Sequence, residues 1–272
     1  MRRRIPHSLT AGTILVAVIV LLAVASWFWL PFPIDDMSGG RLEAPSWHHL
    51  FGTDKLGRDL FARSMIGARI ALEAGFFASL IGGLVGVTLG LLAGFAQRWW
   101  DSIAASLLDS LIAFPTLLVA MLLVAAWSAS LTTAIVAIGF AIATVIARVT
   151  RLLIKRVLNQ DFILASRASG SSWPRIIVLH VLPNIWPTLL VALALQFGLA
   201  SLSEASLSYL GLGTPPPNAS WGSLLQEAQA TVTTAPVGAI APGLLLVALV
   251  VGTNLVADGL REYLDPTLRR QS

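Results

Sequence analysis

An all-α membrane protein of about six transmembrane helices is the architecture this sequence implies, for three reasons. Of its 272 residues, 56% are hydrophobic and 12% charged, about half the charged share of a soluble domain, and the mean hydropathy is +0.79. Six apolar runs approach the roughly 20 residues needed to cross about 30 Å of hydrocarbon, where backbone groups must be paired within the segment. Lys and Arg between the runs concentrate on alternate connections, as cytoplasmic loops retain them.

The runs cover 10–30, 75–96, 103–127, 131–147, 186–202 and 237–257. With Arg2, Arg3 and Arg4 inside, six crossings also leave inside Arg98, the basic residues of 148–175, and Arg261, Arg269 and Arg270. Both termini are therefore expected on the cytoplasmic side of the cell (inner) membrane. Arg41, Lys55, Arg58, Arg63 and Arg69 fall outside, accompanied by acidic residues. The chain then divides into an N-terminus and first helix (1–30), an external segment (31–74), a membrane core (75–257) with a cytoplasmic loop at 148–185, and a cytoplasmic tail (258–272).

In the first run, a basic start and Ala23-Val24-Ala25 resemble a cleavable signal peptide, but the apolar stretch is long for one. Its removal would also break the charge asymmetry. Trp27, Trp29, Trp99, Trp100, Trp127 and Trp186 lie near span ends, where an amphipathic ring suits the headgroup layer. Gly82, Gly86, Gly90 and Gly94 recur every four residues in the second run, so one helix face permits close approach of another helix, within the subunit or between subunits. Pro115 and Pro242 lie inside other runs, where each removes a backbone hydrogen bond and favours a kink. Asp109, Glu204 and Asp258 lie towards span ends; Asp109 and Glu204 are read as carboxylates reaching water. A proton-coupled carrier would place a carboxylate or His near midplane.

Between the fourth and fifth runs lies a polar island, 161–184, reading DFILASRASGSSWPRIIVLHVLPN. Asp161 is placed to cap a short helix reaching about Ser169. Phe162, Ala165, Ser166 and Ser169 then share one mostly small face, suited to close docking, with Arg167 beside it. Gly170 has the freedom to end that helix, Pro174 resumes the chain, and Pro183 and Pro187 mark the start of the fifth span.

These residues resemble the EAA loop of ABC-transporter permeases. Ala165, Gly170, Leu182 and Pro183 stand at the pattern's spacing. Leu164 replaces the family's glutamate, Ser166 its second alanine, and His180 its isoleucine before the final Leu-Pro; the loss of Glu also removes a capping-box partner. Three further stretches extend the resemblance to the dipeptide, oligopeptide and nickel permeases, in the family's order. They are Gly52-Thr53-Asp54-Lys55-Leu56-Gly57-Arg58-Asp59; Leu207-Ser208-Tyr209-Leu210-Gly211-Leu212-Gly213 with Pro215 to Pro217 and Trp221-Gly222; and Leu260-Arg261-Glu262-Tyr263-Leu264-Asp265-Pro266. In the first, Gly52 and Gly57 allow turns and Asp54, Arg58 and Asp59 can form a charge-assisted cluster, serving either as a docking shape or as a local brace.

The resemblance implies an ABC importer type I permease fold with a cytoplasmic coupling helix at 161–169, one pathway-forming subunit for di- or oligopeptides, and no enzyme activity of its own. It implies as partners a second homologous permease, cytoplasmic ABC ATPase subunits carrying ATP and Mg, an extracytoplasmic solute-binding protein, and the bilayer. Consistently, the chain has no phosphate-binding G-x-x-x-x-G-K-[ST], and neither of its lysines, Lys55 and Lys155, follows a glycine. No cofactor, metal or catalytic residue is expected on this chain. Its charge of +4 is dispersed among connections rather than gathered as for nucleic acid.

Nickel or a metal chelate is the nearest alternative cargo, supported by the Phe162 to Gly170 segment, which looks closer to nickel-type permeases. Against it, His48-His49 is the only His pair and Cys is absent. A stand-alone secondary carrier is the rival from another class and would need an ion-coupling site within the spans. An intramembrane enzyme would need a Ser/His dyad, H-E-x-x-H or paired carboxylates, for which there is no support here.

Overall fold

A computed structural model describes residues 6–264 of the chain. The tripeptide Arg2 to Arg4, and Asp265, Pro266, Arg269 and Arg270 of the tail, lie outside the described residues. Long helices make up the bundle: α1 (His7–Phe28), α2 (Leu60–Phe95), α3 (Trp99–Ala113), α4 (Thr116–Trp127), α5 (Leu131–Leu158), the short α6 (Asp161–Ala168) and α7 (Trp173–Ile176), α8 (Leu182–Tyr209), the short α9 (Trp221–Ala228) and α10 (Val237–Leu264). Among the described residues, five stretches are long and apolar enough to cross a membrane, and α3 with α4 passes the same test only as a pair bent by 79°, the geometry of a broken span or a re-entrant loop.

That bend falls in the run expected to be one helix, 103–127. Phe114 is extended (φ −77°, ψ 129°) immediately before Pro115, because the proline ring excludes the helical conformation from its predecessor. Leu111, Phe114 and Leu118 are exposed, so little packing opposes the break. The same residue type has no such effect in α10, which runs unbroken through Pro242 with Ala241 and Pro242 buried.

The fifth span also starts earlier than its prolines suggested, at Trp173. A π-helical turn, Ile177–Val181, joins α7 to α8, and the Leu182 N–H bonds to the Ile177 carbonyl. The wider turn admits Pro183, which has no N–H to donate and would crowd the preceding turn of a regular α-helix. At the other end of the chain, α2 begins at Leu60, well ahead of its apolar run. Asp59 accepts from the Ala62 N–H at 2.6 Å, a side-chain cap for an otherwise orphaned amide.

The glycine stripe packs inside the subunit. A Cβ on Gly82 would lie 2.4 Å from Ile142 Cγ2, on Gly86 2.7 Å from the Ala143 carbonyl, on Gly90 2.7 Å from the Ala147 carbonyl, and on Gly94 2.9 Å from Ile154. α2 and α5 therefore meet backbone to side chain along their length. Gly12 of α1 likewise lies against the Gly252 carbonyl of α10.

Beyond α8, residues 210–220 and α9 fold back over the bundle. Trp221 is 1% exposed, its indole N–H donates to the Ser64 carbonyl at 3.0 Å, and its ring occupies the space a side chain at Gly67 would need. This fold-back corrects the reading of Glu204, which does not reach water. It is 1% exposed and accepts from Ser208 Oγ at 2.6 Å, as a buried carboxylate needs. Asp109, by contrast, is exposed and lies 3.2 Å from Arg148 Nε.

Candidate docking surfaces at the two ends of the bundle

At the end where α5 leaves the bundle, α6 runs from Asp161 to Ala168 between two long helices. Its N-cap is Gln160, without a side-chain cap bond, so Asp161 is not the cap expected from the sequence. As the first helical residue, it places its carboxylate where the helix dipole favours negative charge. The far end closes as expected at Gly170, φ +81°. Its N–H donates to the Arg167 carbonyl and the Ser171 N–H to the Ser166 carbonyl, at 2.9 and 3.2 Å, the paired bonds of a Schellman ending.

α6 is anchored by one side chain. Ile163 is 1% exposed and packs with Ile154, Ile176, Val181 and Ile185. Arg167 lies 4.4 Å over the Trp173 ring. Of the expected docking face, Phe162, Ala165 and Ser169 are exposed and Ser166 is half-buried. Leu164, in the place of the resembled glutamate, is 60% exposed. Ser166 Oγ lies 3.4 Å from His180 Nε2, so two of the three departures from the EAA pattern face each other. That pairing was not legible in spacing alone, because the π turn sets the orientation of His180. Leu182 and Pro183 open α8.

At the opposite end, the 31–59 segment folds on itself. Gly52 (φ +75°) and Gly57 (φ +82°) adopt left-handed turns, and a Cβ on either would lie 2.2 Å from a backbone carbonyl, of Glu43 or Gly39. Asp54 accepts from Arg58 Nε and from Arg63, both at 2.7 Å. Glu227 of α9 completes the cluster, accepting from Arg63 at 2.7 and 2.9 Å and from Arg58 at 3.0 Å. Burial pushes the Glu227 carboxyl up, but the hydrogen bond and charge of Arg63, with Arg58 behind them, outweigh it and hold the group below its usual range.

Asp59 stands apart from this cluster, contrary to expectation: one oxygen caps α2 and the other is 2.9 Å from His49 Nδ1. Arg63 and Glu227 are members beyond those expected: Arg63 lies on the first turn of α2, nine residues from Asp54, and Glu227 joins from α9, 164 positions further along the chain. His48 meets His49 and Phe32 edge to face, and the His49 ring lies tilted against Phe32. Among the described residues no group of three His, Cys, Asp or Glu is placed to hold a metal ion.

Residues 86–270 match the family described as "Binding-protein-dependent transport system inner membrane component". The chain is 37% identical over 259 residues to the dipeptide transport system permease protein DppC of Alkalihalophilus pseudofirmus, covering 95% of this chain and 85% of that one. It is 38% identical over 259 residues to the glutathione transport system permease protein GsiD of Pectobacterium atrosepticum, covering 93% and 85%. Among solved structures, an inward-facing form of the MetNI methionine ABC transporter matches with a TM-score of 0.60 at 19% identity, over 73% of this chain and 95% of that chain. That likeness is one of fold.

Proposed function

Because this chain belongs to the family of binding-protein-dependent transport system inner membrane components, the permeases of ABC importers, we propose that it forms part of the translocation pathway for di- or oligopeptides. The names of its relatives, dipeptide and glutathione transport permeases, support that cargo class. ATP and Mg bind and react on separate cytoplasmic ATPase subunits, cargo arrives on an extracytoplasmic solute-binding protein, and a second homologous permease completes the pathway. Both termini and α6 face the cytoplasm. This chain itself carries no cofactor.

One observation carries the mechanism: α6 is a short, capped helix held by a single buried side chain, Ile163, and flanked by the long helices α5 and α8. Such an element transmits a push. Closure of two ATPases moves α6 as a rigid unit, and α5 and α8 tilt with it between inward-open and outward-open arrangements. Phe162, Leu164, Ala165 and Ser169 present the contact surface, Gly170 sets its end, and Leu182 and Pro183 pass the motion into α8. At the other end, the braced Gly52 to Asp59 segment offers a fixed shape to the binding protein, with Glu227 and Arg63 holding it to the bundle.

Replacing exposed Phe162 and Leu164 together by Asp tests the coupling role without disturbing Ile163. The ATPase subunits are expected to be lost on purification in mild detergent, or their hydrolysis to become independent of transport, while the permease stays folded. Normal transport by the double variant would overturn the assignment. Peptide cargo is tested separately, by mass spectrometry of what the partner binding protein carries.

A further inference from the structure

On the side of the bundle that bears the 31–59 segment, an apolar groove opens between α1 and α2 beneath a single arginine. Arg69 lies 5.3 Å over the Trp27 ring and donates one hydrogen bond, 2.9 Å, to Ser26 Oγ. Its Nε is buried and has no partner. A guanidinium has five N–H donors in a fixed fork, and an unpaired donor shielded from water costs about 1–3 kcal/mol. Nε is closed off, but the terminal N–H groups other than the one on Ser26 have no acceptor among the described residues and stand at the mouth of the groove.

The walls below Arg69 are apolar. Val20, Val24 and Trp27 share one face of α1, and Leu72, Phe76 and Phe77 line the α2 side. At 1.5 Å per residue, the lining runs roughly 10–12 Å from the arginine along both helices. Phe76 and Trp27 are 55% and 63% exposed, so the groove is open to the surroundings of the bundle. A cation at the mouth, an indole beside it and hydrocarbon below reproduce the order of a membrane leaflet from headgroup to acyl chain.

We propose that this groove holds one phospholipid, its phosphate oxygens on the free N–H groups of Arg69 and an acyl chain along Val20, Val24, Leu72 and Phe76. Guanidinium pairs with phosphate through charge-assisted bonds that its fork geometry favours. Glu73 follows one turn below Arg69, lines the same groove and interacts with the guanidinium through its charge without a hydrogen bond. Its negative charge disfavours headgroups with a second anionic group and selects a zwitterionic or singly charged lipid. The occupant would seal the α1–α2 seam and hold α1 against the bundle, independently of the cargo or the motor.

The test uses the intact transporter reconstituted in nanodiscs of phosphatidylethanolamine and phosphatidylglycerol, then released for native mass spectrometry. Arg69→Gln removes the charge, and Val24→Trp fills the apolar part while leaving Arg69 in place. Each is expected to lower the affinity of one retained phospholipid per permease by about tenfold, the worth of one charge-assisted contact or of a blocked groove. Equal retention by wild type and both variants would overturn the proposal. If Arg69→Gln fails to fold, Val24→Trp decides alone. A photo-crosslinker at Phe76 should capture lipid; capture of a second permease subunit instead would show that protein fills the groove and would also overturn it.

Discussion

Arg63 of α2 holds both carboxylate oxygens of Glu227 in α9, at 2.7 and 2.9 Å, across 164 positions of sequence. Arg63 is 3% exposed and also binds Asp54, so one guanidinium ties the 31–59 segment, the start of α2 and α9 together. Removing Glu227 leaves this buried guanidinium with Asp54 as its remaining partner. Glu227→Ala is therefore expected to cost about 1–3 kcal/mol, the worth of hydrogen bonds to a charged group, read as a lower thermal unfolding midpoint in detergent. An unchanged midpoint would show that the cluster does not brace this end of the bundle.

The same carboxylate makes the brace sensitive to acid. Its folded pKa lies below the usual glutamate range, so its contribution is fully present above the unfolded value of about 4.3. That contribution is lost as pH falls below this value and through the depressed folded one. Wild-type thermal stability should fall on acidification from about pH 5 towards pH 3, and Glu227→Gln should flatten this part of the profile. Parallel profiles for the two proteins would rule out the linkage.

Along α2 the tolerance of glycines should follow what each faces. A Cβ at Gly90 meets Thr150 Cβ at 2.4 Å and the Ala147 carbonyl at 2.7 Å, whereas at Gly83 it meets only the end of Leu193 at 3.1 Å. Gly90→Ala should cost about 1–3 kcal/mol through overpacking, and Gly83→Ala should be close to neutral. The order of the two unfolding midpoints checks this, and a reversed order would contradict the α2–α5 contact.

At Gly170 the conflict is conformational. Nothing lies within 4 Å of a Cβ there, but φ is +81°. Gly170→Ala should cost about 1–2 kcal/mol, the left-handed penalty, and Gly170→Asn less. Hydrogen exchange is expected to show lost protection at Gly170 and Ser171, whose amides close α6. Retained protection in Gly170→Ala would mean that the ending does not depend on the left-handed turn.

Pro115 sets a larger geometry. With α3 and α4 bent by 79°, positions 102 and 127 lie about 28 Å apart by helix rise, against about 37 Å for one straight helix. Pro115→Ala restores an N–H and removes the restriction on Phe114. Spin labels at Ser102 and Trp127 should move apart. An unchanged distance would mean that packing, not the proline, holds the bend.

The features legible in the sequence are those governed by neighbours along the chain. An apolar run must satisfy its backbone within itself in lipid, so the six hydrophobic runs were legible as membrane segments, and the Gly82 to Gly94 spacing as one close-packing face. Gly52, Gly57 and Gly170 were readable as turns because left-handed backbone favours glycine locally. Contacts between distant elements were not. Asp59 binds His49 and the start of α2 rather than Arg58, Glu227 joins Arg63 from the far side of the chain, and Glu204 is covered by residues that follow it. Proline alone did not decide where helices break: Pro115 breaks one on an exposed face, whereas Pro183 is absorbed by a π turn and Pro242 by a buried face. Dihedral preference and hydropathy act over a few residues, while the partner of a charge and the support of a kink depend on which surfaces the folded chain brings together.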